Sequence, residues 1–72
     1  MSSPSSIIDA LRAKYKGQML DARAYINVYV ENPVGIGEHS DIVAAVDEQV
    51  GKMSEAMDKL EALDSYETPQ LL

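Results

Sequence analysis

Residues 31 to 42 read ENPVGIGEHSDI. The stretch gathers a proline, two glycines, a histidine and acids between two long segments of periodic apolar character. Pro33 lacks an amide proton and biases Asn32 away from helical angles, so a helix arriving here must stop. Gly35 and Gly37 adopt backbone angles that other residues avoid, which permits a tight reversal. Pro33, Gly35, Gly37, His39 and Ser40 therefore read as a structural loop over 32–40 that joins two helices. Val34 and Ile36 are expected to fold inward at its open end.

Upstream of the loop the spacing predicts a helix over 7–31. Ile8, Leu11, Tyr15, Met19, Ala22, Ile26 and Tyr29 recur every three or four residues and fall on one stripe at about 100° per residue. Ile7, Tyr25 and Val30 widen it to roughly 140°, beyond the usual amphipathic minimum. Ser6 suits the N-cap, with Asp9 in the capping-box position. Gly17 weakens the middle by about 1 kcal/mol relative to alanine.

Downstream, a second helix is expected over 41–65. Its apolar residues form a heptad seam of Val43, Val46, Val50, Met53, Met57 and Leu60, flanked by Ile42 and Leu63. Glu48 with Lys52 and Glu55 with Lys59 are acid-before-base pairs four residues apart, each worth a few tenths of a kcal/mol. Ser40 or His39 is the expected N-cap, and Asp41 suits the positive end of the helix dipole. Each helix would reach roughly 37 Å. The short connection makes them antiparallel neighbours. The fold class is thus all-α: an antiparallel two-helix hairpin over 7–66, with a disordered tail at 1–6 and a frayed one at 67–72.

Size and composition limit what such a hairpin can do. Seventy-two residues make one small domain, a size that usually needs a disulfide, a metal or a partner for support. There are no cysteines and one histidine, so disulfides and multi-histidine metal sites within one chain are excluded. The formal net charge is −6, which repels nucleic acid and anionic membranes. It is unevenly placed. Up to Asn32, Arg12, Lys14, Lys16 and Arg23 stand against Asp9, Asp21 and Glu31, a net of +1; from Pro33 onward Lys52 and Lys59 stand against nine acids, a net of −7. No apolar run approaches the roughly 18 residues that span a bilayer, and MSSPSS lacks the features of a signal peptide.

The residues that tempt a chemical reading do not assemble one. Gly35 and Gly37 lack the third glycine and the preceding strand of a dinucleotide loop. His39, Ser40 and Asp41 carry the residue types of a hydrolase triad, but consecutive side chains splay where a triad must converge. Glu38, His39 and Asp41 are too loosely spaced for a metal site. Tyr15, Tyr25 and Tyr29 have too few cations around them for single-stranded nucleic acid and suit packing instead. Met53 and Met57 fit the seam better than an adaptable groove. The acids of the second helix, from Asp47 to Glu67, read as a solvated face. No catalytic residue, cofactor or metal is expected, and the chain is not read as an enzyme.

The run MLDARAYINVYVENPVGIGEHSDIVAAVDEQ, Met19 to Gln49, resembles short helical proteins encoded by contractile-tailed phages of marine cyanobacteria, and the signature N-P-x-G-I-G-E-H carries the likeness. In that family proline often follows the histidine. Here Ser40 stands in its place, which leaves the cap open between His39 and Ser40. The resemblance covers less than half of the chain. It implies a phage origin, a helical hairpin and the cytoplasm of an infected bacterial host, and it transfers no active site.

One consequence of the hairpin remains. A single neighbouring helix cannot cover a 140° apolar face, and Leu20, Tyr25, Val28 and Leu63 add apolar area beside the seam. Such a patch marks an interface. Two hairpins closing into a twofold four-helix bundle is the simplest solution; a host or phage protein supplying the missing helix is the other. The expected function is a non-enzymatic interaction protein, a homo-oligomer (a dimer first) acting as an accessory or assembly factor. The alternative is an acidic regulator that binds a basic surface of a host protein.

Overall fold

The structure, a computed structural model, describes residues 4–32 and 41–68, with the side chains of the first segment from 6 onward. The expected loop residues Pro33, Gly35, Gly37, His39 and Ser40 lie outside the described residues, as do 1–3, Val34, Ile36 and 69–72. What is described is an all-α hairpin: α1 (Pro4–Glu31) packs along α2 (Ile42–Glu67). No strand occurs among the described residues.

Both helices start elsewhere than the cap residues suggest. α1 begins at Pro4, three residues before the expected position 7. Proline is suited to a first turn, where its missing N–H has no intrahelical partner to lose. Ser6 and Asp9 therefore sit within the helix, and 4–6 are not tail. α1 closes where Pro33 requires, with the Asn32 N–H donating to the Val28 carbonyl at 2.9 Å. In α2 the cap is Asp41, not Ser40 or His39. Its carboxylate accepts from the Ala44 N–H at 3.0 Å, satisfying one of the amides a helix start leaves free. α2 runs two residues past the expected end at 65, and the Thr68 N–H donates to the Asp64 carbonyl at 2.9 Å.

The inward face of α1 follows the apolar spacing. Ile8, Leu11, Tyr15, Met19, Ile26 and Tyr29 are partly buried and Ala22 fully so. On α2 the face is rotated from the expected seam. The residues turned inward are Ile42, Ala45, Val46, Gln49, Met53, Ala56, Leu60 and Leu63. Val43, Val50 and Met57, expected on the seam, stand 80%, 42% and 50% exposed. The reason lies at the centre, where Ala22 and Ala56, each 1% exposed, are the only buried side chains among the described residues. Small side chains let two helix backbones approach closely. Bringing Ala56 to the seam carries Gln49 and Leu63 with it, seven residues away on either side. The same rotation turns out the column one position further on. Leu63, expected as exposed partner surface, is consequently part of the seam.

The result is a single layer. The Cα positions span 50 × 34 × 14 Å with a radius of gyration of 16.3 Å, against about 11 Å for a compact chain of this length. Among the described residues no large side chain is fully buried.

Candidate interaction surface

The seam divides the hairpin surface into two flanks, and they differ in chemistry. The first carries Gln18, Asp21, Lys52 and Glu55, which with Ala22 line a groove of about 180 Å³. That is smaller than the about 300 Å³ where ligand pockets begin. Its lysines are paired within α2: Lys52 Nζ lies 3.5 Å from Glu48 and Lys59 Nζ 3.3 Å from Glu55. The Lys59 ammonium also stands 5.2 Å from the centre of the Tyr15 ring, a cation–π contact worth about 0.5–1 kcal/mol at an exposed site.

The second flank is marked by Arg12. Its guanidinium donates to Asp64 Oδ1 at 2.6 Å and to Glu67 Oε1, clamping the start of α1 to the end of α2. The hydrogen bond to Asp64 raises the Arg12 pKa above its ordinary value; desolvation works against this, and the charges of Asp64 and Glu67 add to it. Asp64 belongs to the heptad column that contains Val43, Val50 and Met57, so those three side chains line the same flank. On α1 the flank holds Lys16, Arg23 and Val30, within about 40° of Arg12 around the helix. Val30 is 65% exposed. Among the described residues Lys16 and Arg23 make no ion pair.

The remaining apolar residues are more scattered. Tyr25 and Ile7 sit toward the groove flank, as does Tyr66 on α2, Val28 lies beyond Tyr25 and Ile7, and Leu20 points away from α2; all five are at least half exposed. Two further depressions, lined by Glu61, Asp64, Ser65 and Thr68 and by Asp9, Arg12, Ala13 and Lys16, are each one face of a single helix with no opposing wall. Among the described residues no three potential metal ligands cluster, and no helix is long and apolar enough to cross a membrane.

The flank of Val43, Val50 and Met57 is the feature that reading the sequence placed in the core. Its cations and Val30 were not singled out as site residues. A signal existed: Val46, Met53 and Leu60 belong to two possible seams, one completed by Val43, Val50 and Met57, the other by Ile42, Gln49, Ala56 and Leu63. The more apolar choice looked better as a core, whereas the column turned inward is the one that buries Ala56.

No family model, no curated protein and no solved structure matches this chain.

Proposed function

We propose that this protein works by association rather than by catalysis, as a hairpin that pairs with a second copy of itself to form a helical bundle. The observation that carries the proposal is surface left unburied. The chain exposes 5677 Å², whereas a compact protein of 7.9 kDa exposes about 4,400 Å². The excess includes large apolar side chains in a regular column, at Val43, Val50 and Met57. A layer one helix thick has no second layer to form a core against, and a copy of the same hairpin supplies one. The role that fits is an accessory or assembly factor, and the resemblance of Met19 to Gln49 to phage proteins favours a contractile-tailed phage as its source. Light scattering after size exclusion tests the reading: a particle of twice the chain mass at micromolar concentration is expected, and a stable helical monomer overturns it.

A second reading has its own support. Asp47, Glu48, Glu55, Asp58 and Glu61 are all exposed, so the outer side of α2 presents acids that would suit a basic protein surface. Pull-down from host lysate at low and high salt tests it. A partner retained at low salt and released at high salt is expected; a partner indifferent to salt removes this reading.

A further inference from the structure

We propose that the copies meet through the flank of Val30, Val43, Val50 and Met57, with both loops at the same end, so that α1 of one copy lies over α2 of the other. This rests on the self-association reading and specifies its geometry. The area is of the right size. Twice 5677 Å², less the about 7,300 Å² that a compact particle of double the mass exposes, leaves about 4,000 Å² to be removed. Obligate homodimers bury about 2,000–5,000 Å².

Three observations choose the flank. Its exposed apolar side chains form a column spaced by seven, the pattern that packs against another helix. The opposite flank has a polar groove at its centre, and its lysines on α2, Lys52 and Lys59, pair with acids of the same helix. And the cations Lys16 and Arg23 beside the column make no ion pair among the described residues, although Asp9 lines the same depression as Lys16, while Glu61 lies in line with Val43 around α2.

Charge then chooses the arrangement. Two hairpins stacked on this flank have two twofold solutions. If the axis runs across the helices, α1 lies on α1 and α2 on α2, which sets two acidic helices side by side. If it runs along them, each α1 lies on the partner's α2, so the half of the chain with net +1 meets the half with net −7. Like charges in apposition are costly and opposite charges fix register. Levels along the bundle follow from the hairpin itself. Arg12 meets Asp64 and Tyr15 meets Lys59, so residues at equal height have numbers that add to about 75. An axis along the helices preserves height. Lys16 of one copy then stands level with Glu61 of the other, and Val30 fits between Val43 and Val50.

The experiment uses the full chain with Lys16→Glu and Glu61→Lys variants, followed by sedimentation equilibrium, with far-UV circular dichroism to verify helicity. Each variant alone should dimerise about tenfold more weakly. An equimolar mixture should recover the native affinity, because each contact then joins opposite charges. Pairing within one chain gives no such recovery. In parallel, Ala44→Cys provides a unique labelling site, since the chain has no cysteine. Spin labels there should lie roughly 25 Å apart with loops together and roughly 40 Å apart with loops opposed, given about 1.5 Å of rise per residue. A dimer with the long distance, or a mixture no tighter than the single variants, overturns this geometry and leaves self-association standing. A wild-type monomer overturns both.

Discussion

The middle of the seam and the flank beside it invert the usual distribution of side chains. The seam centre buries two alanines, Ala22 and Ala56, while two valines and a methionine of the neighbouring column stand in water. In a chain that folded for its own sake the larger side chains would be inside, because a buried valine or methionine contributes about 1.5–3 kcal/mol and a methyl group far less. The difference separates two tasks. The seam buries small residues between the helices, and on the proposed association the flank holds apolar area for another surface. In the proposed dimer hairpin and assembly are coupled: with so little buried in one copy, much of the stability would come from the second.

That coupling gives the largest expected effect. Val50→Asp places a charge in the middle of the proposed contact, twice over by symmetry, and an unpaired buried carboxylate is strongly disfavoured. Sedimentation should show the dimer weakened at least about a hundredfold, together with a loss of helical signal at low concentration. If the variant dimerises and melts like the wild type, the flank is solvent surface and the contrast with the seam means nothing.

The seam is tested in the opposite sense, by adding volume. Ala56→Leu should force the helices apart at a fully buried point of the seam, a strain of about 1–3 kcal/mol, read as a lower midpoint in urea at fixed protein concentration. A leucine that stabilises the protein would show that the centre is loose and that close approach does not set the rotation of α2.

These two positions also show how far the sequence could be read. On α1 one apolar column dominates, so the spacing of Ile8 through Tyr29 marks the residues that turn inward. α2 offers two columns that share Val46, Met53 and Leu60. Choosing between them requires the distance between backbones, which composition does not carry, and apolar character pointed to Val43, Val50 and Met57. The pairs Glu48 with Lys52 and Glu55 with Lys59 are local and can be read from spacing. Arg12 reaches acids 52 and 55 residues away, and finding it requires the register of one helix against the other. The helix starts were misplaced for a similar reason. Ser6 and Ser40 have good capping chemistry, but Pro4 suits a first turn and Asp41 also has an oxygen within reach of a free amide.

A smaller effect separates helix propensity from packing. Gly17 and Gly51 lie within helices, and a methyl group built on either meets nothing within 4 Å. Gly17→Ala and Gly51→Ala should each stabilise by about 0.8–1 kcal/mol, additively at such separation, with no change in oligomeric state. Thermal melts at several concentrations check both points. Destabilisation at either site would mean that a partner surface approaches there, on a side of the hairpin other than the proposed flank.

Arg12→Ala should have the smallest effect. Its two ion pairs cross the seam at the open end of the hairpin, but Asp64 remains 69% exposed and water screens the attraction. The expected outcome is a drop in melting temperature smaller than the rise given by Gly17→Ala, shrinking as salt is added. The sign of its pH dependence follows from the raised Arg12 pKa. A cation whose folded pKa is raised contributes fully below the unfolded value and loses that contribution only as pH climbs through the folded one. The difference between wild type and variant should therefore be constant from neutral to moderately alkaline solution. A large, salt-resistant loss would place Arg12 beneath a partner chain, extending the contact from the Val43 column to the Asp64 end of the same flank.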